Sequence, residues 1–169
     1  MMFKRVGLLA LVIATIAAAA TGIWSTAAHA QEAETAQERD GTLLVGRGVL
    51  DARGDGLVAV KGRIDLYASA DGGVLLVKDI AGDAAVRVDG DGRSASWQGF
   101  TAYFGFEGQA RVTGSNVAVI VVGKDIRLHV VGIGWAYLKG EGTFEVNNRG
   151  PFRWTPEGTF VGVGSEQGE

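Results

Sequence analysis

The chain has 169 residues with 27 Gly, 2 Pro, 2 His and no Cys, 47% hydrophobic and 21% charged, with a formal net charge of −3. The missing cysteine excludes a disulfide framework, a thiolate metal site and a cysteine nucleophile. Glycine without a three-residue period or abundant proline excludes collagen, and the apolar share is too high for a disordered chain.

Lys4 and Arg5 precede an apolar or small run from Val6 to Ala20, and Ala28-His29-Ala30 ends the segment with small residues at both specificity positions. This is the layout of a secretory signal, which predicts a hydrophobic signal helix within 1–30 and cleavage before Gln31. The alternative is an uncleaved membrane anchor over 6–23, since those 18 residues are just long enough to span a bilayer. Either way the body is expected to be exported, either secreted or held outside the cytoplasmic membrane. Residues 31–41 are polar and acidic and read as a spacer, and 42–161 as one domain followed by a frayed tail over 162–169. Loss of Lys4 and Arg5 with the signal leaves 14 basic against 19 acidic residues, a net charge of −5. That sum argues against nucleic acid and against an anionic membrane surface, leaving a membrane contact only through 6–23 if the signal stays attached.

From Leu44 to Ala70 every even position is apolar, Ala or Gly, and seven of the 13 odd positions between them are charged. The pattern returns from Phe104 to Val146, broken at Asn116 and Lys124. Period two with one apolar face predicts an all-β domain. Strands rarely exceed about ten residues, so the chain is expected to turn while keeping its parity. Three-residue hairpin loops do this, and Gly54–Gly56, Gly114–Asn116, Gly123–Asp125 and Gly140–Gly142 are placed for them. The expectation is a Gly-rich antiparallel meander forming a small barrel or coiled sandwich, with Arg53 opposite Leu57 and Val122 opposite Ile126. G-x-G followed by alternating apolar residues at 46–53, 54–61, 132–139 and 140–147 repeats at an eight-residue step, which points to the alternative, a β-solenoid. The segment 150–161, which holds both prolines, is expected to be a strap rather than a strand.

Little in the chain carries chemistry. His129 is the one histidine after the signal, and a 123–125 hairpin would set it opposite Val119 with no acid or hydroxyl beside it. The carboxylate pairs Asp51 and Asp65, Asp79 and Asp83, and Glu141 and Glu145 lie on the charged parity or at turns, as solvated surface does. Asp89-Gly90-Asp91-Gly92 lacks the later ligands of a calcium loop, and no G-x-G pair completes a phosphate loop. No catalytic residue, metal ligand or cofactor is therefore expected.

The unusual feature is apolar. Val117, Val119, Val121, Val131, Ile133, Trp135 and Tyr137 occupy the parity that is charged elsewhere, and the expected hairpin would join them into one outward patch. The strap, through Phe152, Trp154 and Phe160, would cover it, or a subunit or envelope partner would. The expected function is a non-enzymatic exported β-domain with a structural or binding role at the cell envelope or outside the cell. Alternatives are a carbohydrate-binding or adhesin module using outward aromatics, with Trp135 and Tyr137 as the platform, and a hydrolase using surface carboxylates. Expected partners are an envelope glycan or protein, or a second copy bound through the patch.

Overall fold

The structure, a computed structural model, describes residues 47–97 and 99–164. The expected signal, the spacer and the residues beyond 164 lie outside them. Five antiparallel strands account for almost all the rest: β1 (Gly48–Asp79), β2 (Ala85–Trp97), β3 (Phe100–Val146), β4 (Arg149–Trp154) and β5 (Thr159–Val163). The all-β, antiparallel reading is what the structure shows.

β1 has 32 residues and β3 has 47, far beyond an ordinary strand. Their register explains the length. Leu50 is paired with Val146 on one side and Val130 on the other, and Leu66 with Val130 and Val112. Advancing 16 residues along β1 therefore returns the chain to the same region of the sheet, two strands over. The two long strands form one antiparallel ribbon wound so that its turns also pair with each other. The pairs sort into two bands, which the chain enters alternately. The first runs 149–154, 141–146, 48–54, 126–132, 64–70, 108–113 and 85–90. The second runs 159–163, 134–138, 56–62, 117–123, 73–79, 100–104 and 93–97.

Glycine lets the ribbon bend. At the crossings between bands, glycine sits opposite glycine: Gly56 and Gly140, Gly62 and Gly134, Gly73 and Gly123, Gly90 and Gly108. At Gly134 an added Cβ would run into the Lys61 carbonyl, and its partner Gly62 has φ +156°, so the backbones approach more closely than any side chain allows.

Inward side chains from both bands form one buried cluster that includes Leu50, Leu66, Val130, Val58, Val119, Leu138 and Phe106. Inward positions are even over most of the chain but odd at Leu75, Val77, Val117, Val119, Val121, Val161 and Val163. One switch is a bulge: Asp71 faces Lys124 whereas Gly73 faces Gly123, leaving Gly72 (φ 74°) as the extra residue.

The expected meander is not what forms. Arg53 is paired with Arg127 and Thr143, and Val122 with Leu57 and Val74, so none of the four three-residue segments reverses the chain. They are bends or bulges. A bend keeps parity as well as a three-residue loop does: at 54–56 the ladder to 140–142 runs through unbroken, while on the other side Gly54 faces Ile126 and Gly56 faces Gly123, so that 124–125 bulge. The sheet is not closed into a barrel, because β2 forms one margin and β4 and β5 the other. The eight-residue step is the band-to-band crossing, with antiparallel rather than parallel neighbours, so the solenoid is excluded as well. The chain reverses tightly between Trp97 and Phe100 and at Asn147-Asn148, whose φ of 51° and 61° match a two-residue hairpin turn. The expected strap is two strands instead: β4 pairs with 142–146 and β5 with 134–138.

Candidate functional site

The seven residues of the expected apolar patch are dispersed. Val117, Val119 and Val121 point inward, at most 1% exposed, and Val119 lies opposite Val60 and Val77 rather than His129. The parity switch in 114–125 turned them into the core. Val131 faces outward on the first band between Val49 and Asp65, and Ile133 sits at a bend opposite Arg63. Trp135 and Tyr137 face outward on the second band. There Phe160 of β5 packs on them, its ring centroid 6.2 Å from Trp135 and 4.7 Å from Tyr137. Trp154, expected to cover the patch, is 3% exposed and belongs to the core, while Phe152 packs on Phe144 with centroids 5.4 Å apart.

The outward face of the second band is apolar with basic residues only. Its central register row is Phe160, Tyr137, Ala59, Ile120, Leu76, Ala102, Ala95, with Ala59 and Ile120 at its centre buried, flanked by rows that carry Lys61 and Lys78 on one side and Lys139 and Arg93 on the other.

The outward face of the first band is the opposite in character, and it is concave. An open trough of about 1050 Å³ is lined by residues of this band together with Asp125, and by none of the second band, so it lies on the side away from the core. Two register rows form its floor. One runs Glu145, Asp51, His129, Tyr67, and the next runs Thr143, Arg53, Arg127, Ser69, Gln109. Strand alternation places them here: Ala52, Leu128, Ala68 and Ala110, between these residues in sequence, are in the core.

Arg53 and Arg127 are directly opposite each other across the sheet. Side chains so placed are about 5 Å apart at Cβ, and like charges there are unfavourable. Among the described residues neither guanidinium has an ion-pair partner. His129 is held instead: its Nδ1 is 2.7 Å from Asp51 Oδ1. With the carboxylate as acceptor the proton sits on Nδ1, and Nε2 of the neutral ring is then an acceptor. Beside the trough, Arg111 donates twice to Asp65, at 2.8 and 3.1 Å, and covers the Tyr67 ring at 4.8 Å. The Arg111 hydrogen bond holds the Asp65 carboxyl below the usual carboxylate range, against a smaller opposing effect of burial.

The carboxylate pairs separate in the same way. Asp51 is bound to His129 and Asp65 to Arg111. Asp79 accepts from the Gly82 and Ala84 N–H groups at 2.7 and 3.0 Å, and Asp83 from the Ser115 N–H at 3.0 Å. Both close the 80–84 connection. Hydrogen bonding by the Ser115 side chain, and after it by the Ser115 N–H, holds the Asp83 carboxyl low. Glu141 and Glu145 are exposed on the chain leading to the Asn147-Asn148 turn.

A histidine held by a carboxylate is a usable general base, but no hydroxyl is hydrogen-bonded to the ring among the described residues. No group of three His, Cys, Asp or Glu side chains could hold a metal ion among them. What the trough can do is present two guanidinium forks beside hydroxyl, amide and carboxylate groups. Sequence reasoning missed it because Asp51, Arg53, Tyr67, Arg127 and His129 are neighbours only through the winding of β1 and β3. The alternation marked each of them as outward but could not say which lay side by side. Comparison with protein-family models, with curated proteins and with solved structures finds no match to this chain.

Proposed function

We propose that this is an exported, non-enzymatic β-domain, a coiled sandwich, that serves as a binding module at the cell envelope or outside the cell. The observation that carries the reading is the polar trough on the outward face of the first band, a concave surface of ligand-site volume. It supplies hydrogen-bonding groups of both polarities and no nucleophile aligned with its histidine, which suits recognition better than turnover. The rival platform of Trp135 and Tyr137 is less suited to a sugar. Phe160 packs against both rings, tilted 55° and 44° to them, so the three form a cluster rather than one flat surface.

The test is co-sedimentation of the exported protein with isolated cell envelopes. The wild type should pellet, Ser69→Trp, which fills the trough, should remain in solution, and Trp135→Ala should behave as wild type. Loss with Trp135→Ala and retention with Ser69→Trp would transfer the function to the aromatic face. Light scattering on the same samples reports self-association through that face.

A further inference from the structure

We infer that the trough binds a carboxylated saccharide, with its acid group held between Arg53 and Arg127. The inference rests on the binding reading above and names its ligand. The two guanidiniums occupy one register position on adjacent strands and have no ion-pair partner among the described residues. A sheet that sets like charges directly opposite each other is relieved when an oxyanion lies between them. Two planar forks also match the paired oxygens of a carboxylate.

The surroundings choose among anions. Along the same row Thr143 flanks Arg53, and Ser69 and Gln109 follow Arg127, at the roughly 4.8 Å spacing of neighbouring strands. These neutral groups both donate and accept, as sugar hydroxyls require. In the next row Asp51, paired with His129, and Glu145 offer carboxylate oxygens that accept from hydroxyl donors. A bare phosphate or a polyphosphate offers few hydroxyl donors beyond its own P–OH and would meet those carboxylates as like charge. A ligand with one oxyanion per unit and several hydroxyls satisfies both rows. The Tyr67 ring adds an apolar surface, capped by Arg111 on one face and 46% exposed overall.

The experiment is calorimetric titration of the exported protein with an oligogalacturonate, with a neutral malto-oligosaccharide of equal length and with inorganic phosphate. The oligogalacturonate should bind saturably and more weakly as salt is raised, and the neutral sugar and phosphate should not compete with it. Arg53→Gln and Arg127→Gln should each weaken binding by roughly tenfold or more, since each removes a charge-assisted contact. Arg87→Gln, exposed outside the trough, should stay within about twofold of wild type. Melting temperatures no lower than wild type, as relief of the Arg53–Arg127 repulsion allows, will show that the variants fold. Absence of oligogalacturonate binding, equal losses in all three variants, or equal competition by phosphate each overturns the assignment. Pelleting with envelopes without oligogalacturonate binding removes the ligand class but leaves the binding module standing. Failure of both removes both.

Discussion

Glycine 134 and glycine 162 face different surroundings, and the contrast tests what the glycines do. A Cβ on Gly134 would collide with the Lys61 carbonyl across the bend, whereas one on Gly162 in β5 would meet nothing within 4 Å. Gly134→Ala should therefore lower stability by about 2–3 kcal/mol, because backbone cannot yield as a side chain can. Gly162→Ala should change the urea midpoint by less than about 0.5 kcal/mol equivalent. A similar small effect at both positions would mean that Gly134 is not needed for close approach. Asp65 supplies a second test at this scale. Its carboxyl is held low by Arg111, so the charged form is favoured more in the folded than in the unfolded chain. That stabilisation is fully present above the unfolded value of ~3.9 and is lost as pH falls through the lower folded value. The melting temperature of Asp65→Asn should lie slightly below wild type at neutral pH, with the gap closing below about pH 4. The effect is small because both partners are partly exposed.

At the scale of elements, the alternation made strands legible, but it did not distinguish a bend from a reversal. Gly54–Gly56 and Gly140–Gly142 have the composition of hairpin loops, yet they are neighbours across the sheet, with Gly54 opposite Gly142 and Gly56 opposite Gly140. Paired in this way, each supplies the space that the other's bend requires. The same glycines accommodate β4. The Trp154 indole lies against Gly54 and Gly142, where any Cβ would strike it, and the ring is buried in the core. This is why a proline-bearing segment that reads as a strap is a strand: its tryptophan has a slot prepared by two glycines from other strands. Trp154→Ala should cost about 3–5 kcal/mol in denaturant unfolding. The indole N–H has no hydrogen-bond partner among the described residues. Trp154→Phe loses no hydrogen bond there and should retain more than half of that stability. Equal losses in the two variants would show that the slot depends on the full indole and not on apolar packing.

At the scale of the molecule, winding decides which surfaces exist. Summed charge is mildly acidic, yet the outward face of the second band bears Lys61, Lys78, Lys139 and Arg93 and no acid, while the trough on the first band mixes both signs. A net charge averages over faces and could not separate them. The sequence by itself determined the all-β character, the antiparallel order and the outward placement of Asp51, Arg53, Tyr67, Arg127 and His129, because period two is a local consequence of strand geometry. It also carried the half-turn of the coil, visible as an eight-residue step. Only the tertiary structure decided that Val117, Val119 and Val121 are core, since β3 carries one extra residue between Gly114 and Val117 and another between Gly123 and Ile126, which turns the side chains between them to the other face. Only it brought Arg53 beside Arg127 and Asp51 beside His129, pairs 74 and 78 residues apart in the chain. Alternation specifies a face, whereas neighbours on that face depend on register between distant strands, and here that register is set by glycines that pack against one another only once the ribbon is wound.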